Sequence, residues 1–265
     1  MNEFVRLCDE NSIPYFILVG HLLEAVHHGG FFPWNDDVDI GIPRPDYDRF
    51  LQLASRELSA PFHLDAYRYN PEYQKYSAKI TCENVKLLDM SAAVPQEQFS
   101  LVDVFPIDGM PDASWVRRIH FFRIMLCRLR MGYAQFSTGI DLQKKGRPFS
   151  ERIIILVGRF FPVEKMLRAD KEFAKADKLL KKYNFYETGY ATNAMSVYKQ
   201  KEVFPRAFLG DGKPYPFEGR LLNGPNQADA YLRQLYGDYM VLPDPDNRNR
   251  HNTTVVDGPR NKNND

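Results

Sequence analysis

The first part of the chain alternates between short apolar runs and amphipathic segments. A mixed segment at 2–11 gives way to the unbroken apolar run Tyr15–Val19, which stops at Gly20, and a second amphipathic segment follows at 21–28. Proline disfavours helix at the residue before it, so Pro14 marks the end of the first segment. The pattern predicts a helix at 2–11, a buried strand at 15–19 and a helix at 21–28.

The next segments predict most of a β-sheet. Residues 37–42 alternate acidic and aliphatic side chains, and Asp46 is a suitable N-cap for a helix that continues to Leu58. Runs rich in β-branched and aromatic residues predict further strands at 62–68, 76–82, 85–90 and 101–105. We expect the second and third of these strands to form a hairpin around Glu83 and Asn84.

Beyond residue 111 the pattern becomes mainly helical. It predicts helices at 114–134, 162–183 and 226–237, a loop-rich region from 186 and a disordered tail from 244. The chain therefore divides into a core at 1–111, a helical block at 112–185, a C-terminal part of the same domain at 186–243 and a tail at 244–265. We expect an α/β fold of the α+β type, in which helices flank a small mixed sheet and the helical block is an insertion or subdomain.

Composition argues against several classes of protein. The chain is 44% hydrophobic and 26% charged, with a formal net charge of +1, which is ordinary for a globular protein of 265 residues. Its three cysteines lack the spacing of a disulfide framework or a zinc site, and the sequence has neither a signal-peptide pattern nor an apolar run long enough to span a bilayer. No basic and aromatic pattern points to nucleic acid. We expect a cytoplasmic protein.

Three acidic residues carry the candidate chemistry. Side chains alternate between the faces of a strand, so Asp37 and Asp39 project together while the aliphatic residues beside them face the opposite side. Asp103, which lies between two valines, repeats this setting on a second strand. Like charges on one face repel, and a hard cation such as Mg²⁺ neutralises them naturally. The alternative is a solvated strand end or turn without a metal.

A second polar cluster lies on the predicted helix at 21–28. His21, Glu24 and His28 fall at i, i+3 and i+7 and so share one face. Zinc is one ligand for such a face, but no cysteine and no second His-Glu pair completes a tetrahedral set in the sequence. A helix that follows a glycine turn also suits a phosphate, which binds at helix N-termini.

The same residues, in the same order, resemble the signature of the LicD family. The resemblance begins with Gly20–His28 and Gly30–Ile40 and spans most of the chain. The later matching segments are Arg44, Asp46-Tyr47, Phe50, Ala78-Lys79-Ile80, Val102–Asp108, Phe217-Glu218-Gly219, Tyr236–Met240 and Leu242-Pro243. The stretch from Pro33 to Ile40 is the most specific of them. This family belongs to the nucleotidyltransferase superfamily and includes bacterial phosphocholine transferases and fukutin-related proteins.

The resemblance implies a nucleotidyltransferase-like fold and a metal-dependent phosphotransferase. Such an enzyme would move a phospho-alcohol group, for example phosphocholine, from a CDP-linked donor to a sugar hydroxyl of a cell-surface glycan such as lipopolysaccharide, teichoic acid or capsule. Asp37 and Asp39 would hold Mg²⁺ (or Mn²⁺), and Asp103 would complete the metal shell or act as base. The residues on the donor side would be Gly20, His21, His27, Arg44 and Lys79. From the sequence alone, Arg44 is more simply interpreted as a solvated loop cation.

Four positions depart from the family pattern. His21, Glu24, His27 and Asn35 stand where the family usually has Thr or Ser, Gly, Arg and Asp. His21 is bulkier than a hydroxyl residue, Glu24 adds a negative charge near the expected phosphate, and His27 replaces a permanent cation with an imidazole. The departures leave open an alternative in which the chain is a catalytically degenerate relative that acts as a binding or scaffold protein.

The predicted helix at 114–134 is both apolar and basic. It contains no acid, and its cations are Arg117, Arg118, Arg123, Arg128 and Arg130. Such a segment can lie on an anionic membrane surface, so peripheral contact with the inner face of the membrane is one interpretation. The interpretation we favour is a helix that packs on the core and exposes its arginines.

Overall fold

The fold combines one large mixed β-sheet with flanking helices. The computed structural model describes residues 1–32, 38–70, 73, 75–89, 96–135, 156, 166–241 and 253–257, with the backbone alone for 85–89, 96–101 and 253–257. The helices within these residues are α1 (Asn2–Glu10), α2 (Val19–His27), α3 (Arg44–Glu57), α4 (Ser114–Ala134), α5 (Ala169–Leu180) and α6 (Ala228–Tyr236). The strands are β1 (Phe16–Ile17), β2 (Asp39–Pro43), β3 (Phe62–Asp65), β4 (Ala78–Asp89), β5 (Gln96–Met110), β6 (Tyr190–Thr192), β7 (Val203–Pro205), β8 (Lys213–Phe217), β9 (Arg220–Gly224) and β10 (Thr253–Asp257). The predicted α+β class is confirmed.

Strand β5 is the centre of the main sheet. Its parallel neighbour is β2, with Asp39 beside Asp103 and Pro43 beside Ile107, and its antiparallel neighbour on the other side is β4. β1 extends the sheet beyond β2, both β3 and β10 pair with β4, and β6 and β7 continue from the far end of β5. Because β5 has partners along both edges, it fixes the position of every residue registered against it.

The central strands have one apolar face, as their alternation predicts. Ile40, Ile80, Val102 and Val104 are buried, and they pack with residues of α1 and α3 in one hydrophobic cluster. A second cluster joins β1 and α2 to α6 and the β8–β9 hairpin, and a third joins α4 to α5. The acids that alternate with these aliphatic residues therefore project from the opposite face.

A buried ion network ties the helical block to the sheet. Arg44, the first residue of α3, donates from Nε and Nη2 to the two carboxylate oxygens of Asp108 at 2.6 and 2.9 Å. Nη2 also donates to the Tyr76 hydroxyl at 2.9 Å, and Nη1 lies 3.4 Å from Oδ1 of Asp177 on α5. Arg44 is only 4% exposed, so its interpretation as a solvated loop cation is wrong. A buried guanidinium needs such bidentate partners to offset its lost hydration.

Strand β4 differs from the predicted hairpin. It runs from Ala78 to Asp89 without a break through Glu83 and Asn84. The register against β5 shifts between Cys82 and Lys86, which marks a β-bulge. A bulge inserts unpaired residues without ending the ladder, so polar residues there look like a turn in the sequence.

The region from 186, predicted to be rich in loops, contains four short strands. β6 and β7 add to the main sheet, and β8 and β9 form a separate hairpin. Proline lies within β7 and β8, at Pro205, Pro214 and Pro216, and a proline argues against a strand in sequence patterns. Edge positions tolerate it, because they do not need the missing N–H.

The tail also differs in part from the prediction. Residues 253–257 pair antiparallel with β4, whereas the sequence predicts disorder from 244. Their composition, Thr-Thr-Val-Val-Asp, is mostly β-branched and suits a strand. The rest of the tail beyond residue 241 lies outside the described residues.

The helices largely match their predicted positions. α4 has the predicted bounds, while α5 and α6 are shorter than predicted, and α3 begins at Arg44 instead of after Asp46. Pro45 fits the first turn of α3, where N–H groups have no intrahelical partner. Among the helices that the structure describes, none combines the length and apolar character needed to cross a bilayer.

Candidate functional site

Four charged side chains form a row across four neighbouring strands, near the ends of β2, β3 and β4 and in the middle of β5. Asp65 on β3 is registered with Lys79 on β4. Lys79 is registered in turn with Asp103 on β5, and Asp103 with Asp39 on β2. Directly opposed residues project from the same face, and neighbouring strands lie about 4.8 Å apart. Asp39 and Asp103 are therefore close neighbours, as predicted, whereas Asp65, which sequence analysis missed, stands two strands from Asp103.

Lys79 lies between two of these acids. Its Nζ is 3.4 Å from Oδ2 of Asp103, and the two side chains are 15% and 21% exposed. The predicted donor-side cation is thus the partner of a predicted metal-binding acid. It offsets one of the two negative charges of the Asp39–Asp103 pair. A flexible ammonium group on a long stem can keep this contact or turn toward an incoming phosphate.

The N-terminus of α2 lies beside the start of β2. β1 runs antiparallel to β2, and the Leu18 N–H donates to the Asp39 carbonyl oxygen at 3.2 Å. The first bond within α2 runs from the Leu22 N–H to the Leu18 carbonyl oxygen, and no side chain hydrogen bond caps the helix within the described part of the chain. The N–H groups before Leu22, including that of Gly20, are outside the helical ladder, as in helix N-termini that bind anions.

The turn from β1 into α2 is strained. Val19 has φ +51°, in the left-handed region where a β-branched residue is a genuine outlier. Strain of this kind costs about 1–3 kcal/mol and persists only where the surrounding structure enforces it, commonly at binding and catalytic sites. The sequence marks Gly20 as the turn residue, but the positive φ falls one residue earlier.

Two glutamates fix the chain that leads into the acidic stretch. Oε1 of Glu24 accepts the Phe32 N–H at 2.8 Å, and Oε1 of Glu218 accepts the Phe31 N–H at 3.1 Å. Residues 33–37 lie outside the described residues, so the place of Asp37 in the site stays a prediction. The chain that precedes them is held by these two bonds, and the chain that follows them is held in β2.

The Phe-Glu-Gly segment forms the turn between β8 and β9. Glu218 and Gly219, the two central residues, have φ +48° and +73°, which is typical of a type I′ hairpin. Gly30 packs closely against this turn, since a Cβ added there would lie 2.4 Å from Oε1 of Glu218. The Glu218 N–H also donates to the Gly29 carbonyl oxygen at 2.9 Å. The hairpin is therefore docked on the segment that enters the acidic stretch.

Of the four residues that depart from the family pattern, His21, Glu24 and His27 contact other parts of the protein, and Asn35 lies outside the described residues. His21 is fully buried, with its ring 4.1 Å from that of Phe217 and Nδ1 3.5 Å from Oε2 of Glu24. Nε2 of His27 donates to the Tyr239 carbonyl oxygen at 2.7 Å. Both histidines thus have packing or hydrogen-bonding roles, and donor binding by either one stays a prediction.

Two sequence-based interpretations gain no support from the geometry. In the part of the chain that the structure describes, no three His, Cys, Asp or Glu side chains converge, as zinc bound by His21, Glu24 and His28 would require. Arg44 follows the last residue of β2, about 16 Å along the strand from Asp39 at about 3.3 Å per residue. Its guanidinium is bound to Asp108, so the structure does not bring it to the charged row.

Sequence analysis missed two buried polar residues of the C-terminal part, Glu202 and Tyr231. Burial and the charge of Glu202 raise the pKa of Tyr231, and burial and the neighbouring Tyr198 raise that of Tyr236. The Tyr231 hydroxyl donates to Oε2 of Glu202 at 2.9 Å, and burial raises the pKa of Glu202 to about 7. Tyr236 belongs to a segment of the resemblance, but no sequence signal distinguishes Glu202 or Tyr231 from ordinary helix residues.

The Asp39–Asp103 pair suits a divalent cation. Both residues offer carboxylate oxygens, which Mg²⁺ prefers, and opposed like charges destabilise a ladder unless they are neutralised. Lys79 supplies only one positive charge. Mg²⁺ in proteins is often held by one or two carboxylates and completed by water and substrate phosphates, so the two described acids fit it.

A mixed sheet with paired carboxylates beside an uncapped helix N-terminus defines a candidate phosphoryl-transfer protein. Comparison with known proteins gives the family. Residues 12–112 match the family described as "LicD/FKTN/FKRP, nucleotidyltransferase domain". The match includes α2, β2 and the whole charged row. Residues 12–112 of this chain are therefore a nucleotidyltransferase domain of the LicD family.

Similarity to individual proteins extends beyond this domain. The lipopolysaccharide cholinephosphotransferase LicD of Haemophilus influenzae is 26% identical over 269 residues, which cover 95% of this chain and 91% of that protein. An uncharacterized protein of Rickettsia typhi is 43% identical over 53 residues, 20% of this chain and 17% of its own. One of Rickettsia prowazekii is 27% identical over 122 residues, 46% of this chain and 40% of its own.

The anchoring role of Glu24 gives a stability prediction. Glu24→Ala removes the acceptor of the Phe32 N–H inside the protein, so we expect the free energy of unfolding in urea to fall by about 1–3 kcal/mol. Glu24→Gln keeps an oxygen acceptor and should lose clearly less. An alanine variant as stable as the glutamine variant would contradict the anchoring role.

Glu202 gives a prediction of pH dependence. Its pKa is about 7 in the fold against an ordinary value of 4.5. Between these values the unfolded chain releases the proton and the folded protein keeps it, so wild-type stability falls as pH rises and levels off above about pH 7. The free energy of unfolding of Glu202→Gln minus that of wild type should therefore increase by about 3 kcal/mol from pH 4 to pH 8.

The control for this measurement is Glu57→Gln, since Glu57 is exposed at the end of α3. A larger change with pH for Glu202→Gln than for Glu57→Gln is the result that supports the raised pKa of Glu202. A Glu202→Gln difference that changes with pH no more than the Glu57→Gln difference would contradict a carboxyl group kept neutral by burial.

Proposed function

We propose that this protein is a phosphotransferase that moves phosphocholine from a CDP-linked donor to a sugar hydroxyl of a cell-surface glycan. The proposal is carried by the registered Asp39–Asp103 pair beside the N-terminus of α2. The similarity to a Haemophilus influenzae protein named as a lipopolysaccharide cholinephosphotransferase supports the transferred group and the class of acceptor. The CDP-linked donor follows from the family resemblance alone.

The donor phosphates would lie between the N-terminus of α2 and the charged row. There the N–H groups around Gly20 and the partial positive charge of the helix end would face phosphate oxygens. Lys79, which is 3.4 Å from Asp103, would add a charge-assisted hydrogen bond by turning toward the donor. The strained turn at Val19 would hold the N–H groups in place before the donor arrives.

Asp39 and Asp103, together with Asp37, would hold Mg²⁺ (or Mn²⁺). When bound, the cation neutralises charge on the phosphate oxygens of the transition state. Asp103 would either complete the metal shell or act as base toward the acceptor hydroxyl. We place the reaction in the cytoplasm, a setting that agrees with the three free cysteines.

The test is transfer of phosphocholine from CDP-choline to a lipopolysaccharide-derived oligosaccharide in the presence of Mg²⁺ or Mn²⁺. We expect Asp39→Asn and Asp103→Asn each to lower kcat/KM by about a thousandfold or more, because a metal-bound charge is worth several kcal/mol. The unfolding free energy of Asp39→Asn should stay equal or rise slightly, since one of two repelling carboxylates is lost.

Asp65→Asn is the matched control. It removes an acid from the same row, two strands from Asp103, and should retain most of the transfer activity. If wild type uses CDP-ribitol or CDP-glycerol instead of CDP-choline, the proposed donor is wrong and the proposed site still stands. Absence of transfer with every donor and metal would favour the catalytically degenerate alternative. Full activity of Asp39→Asn would place the chemistry elsewhere.

A further inference from the structure

Helix α4 presents a continuous apolar surface to solvent. Trp115, Ile119, Phe122 and Leu126 are 68%, 53%, 62% and 45% exposed. At about 100° per residue these four side chains lie within about 30° of one line along the helix, over a length of about 16 Å. We call them the α4 stripe. Single exposed apolar residues are common, but four in one line on one helix mark an interaction surface.

The opposite face of α4 accounts for the packing of this helix. His120, Ile124, Met131 and Ala134 are buried, and Ile124 and Met131 join the cluster that includes Phe173, Ala176 and Leu180 of α5. The favoured sequence-based interpretation, packing on the core, is thus confirmed for this face. Phe121 is partly buried against the same cluster. Among the described residues, the α4 stripe is therefore apolar surface that the hydrophobic clusters do not use.

Contacts within the protein separate the five arginines of α4 into two groups. The Arg117 guanidinium lies 3.7 Å from the centre of the Tyr190 ring, Arg128 donates to the carbonyl oxygens of Ala194 and Ser196, and Arg130 is paired with Glu172. Arg118 and Arg123 are exposed, and in the described part of the structure neither is paired with an acid. On the helix they lie about 70° to either side of the α4 stripe.

We propose that α4 docks this protein on an anionic membrane surface, with the α4 stripe in the interface and Arg118 and Arg123 at the headgroups. An in-plane helix needs an apolar face bordered by cations, which is the observed arrangement. The helix has no acid that would repel anionic lipid. A second copy docked through the same stripe would bring these cations face to face, so charge favours lipid over self-association. The proposal does not depend on the transfer reaction.

The test is co-sedimentation of the full chain with phosphatidylcholine vesicles, with and without phosphatidylglycerol. We expect binding to the anionic vesicles at low salt and release as ionic strength rises. Arg118→Gln with Arg123→Gln should weaken binding to anionic vesicles about 25-fold, since each cation contributes about fivefold. Trp115→Ser with Phe122→Ser should weaken it at least tenfold.

Two pairs of substitutions serve as controls. Arg56→Gln with Lys213→Gln removes two exposed cations elsewhere, and Val197→Ser with Leu221→Ser removes two exposed apolar side chains elsewhere. Neither pair should change vesicle binding. Circular dichroism confirms that each variant is folded.

In a Trp34→Phe background Trp115 is the remaining tryptophan, because the chain has two. Its fluorescence should shift to shorter wavelength when anionic vesicles are added.

Several results would overturn the proposal. They are binding that does not distinguish neutral from anionic vesicles, absence of binding to both, and variants of α4 that bind as tightly as the controls. A dimer in solution that Trp115→Ser with Phe122→Ser dissociates, without any vesicle binding, would assign the α4 stripe to contact between copies of this chain.

Discussion

Two negative charges held side by side are the constraint on which the site depends. Register between parallel β2 and β5 places Asp39 opposite Asp103, and burial of the aliphatic residues on the other face prevents either strand from slipping by one position. The arrangement opposes the stability of the sheet, because like charges directly opposite each other repel. Lys79 relieves part of this repulsion, and a divalent cation would relieve the rest. The pair therefore costs the sheet stability, and this cost is the reason that we propose a functional role for it.

Distant segments of the chain hold the surroundings of this pair in place. The β8–β9 hairpin, far along the sequence, receives Gly30 and bonds to Phe31, while Glu24 on α2 bonds to Phe32. His27 links α2 to the end of α6 through the Tyr239 carbonyl oxygen. Positions 24 and 27 differ from the usual family residues, yet Glu24 positions the chain before the acidic stretch and His27 joins α2 to the C-terminal part. The departures at these two positions therefore have structural explanations that do not require loss of function.

The sequence predicts the core of the site because strand alternation is a local signal. Alternation places Asp39 and Asp103 on the charged face, and the family resemblance adds Lys79. The structure gives the three residues registered positions on adjacent strands. The sequence does not predict Asp65, which ends a short strand of only four residues, or Glu202, whose burial depends on packing against α6. Arg44 was misinterpreted because a cation beside two prolines looks exposed, and its partners Asp108 and Asp177 are distant in sequence. Tertiary contacts of this kind leave no periodic pattern.

The most direct test of the account is the affinity of the protein for Mn²⁺, measured by titration calorimetry with and without CDP-choline. If Asp39 and Asp103 form the site, wild type binds Mn²⁺, the donor tightens this binding about tenfold or more, and Asp39→Asn loses both effects. Equal affinity of wild type and Asp39→Asn for Mn²⁺, unaffected by the donor, would contradict the account.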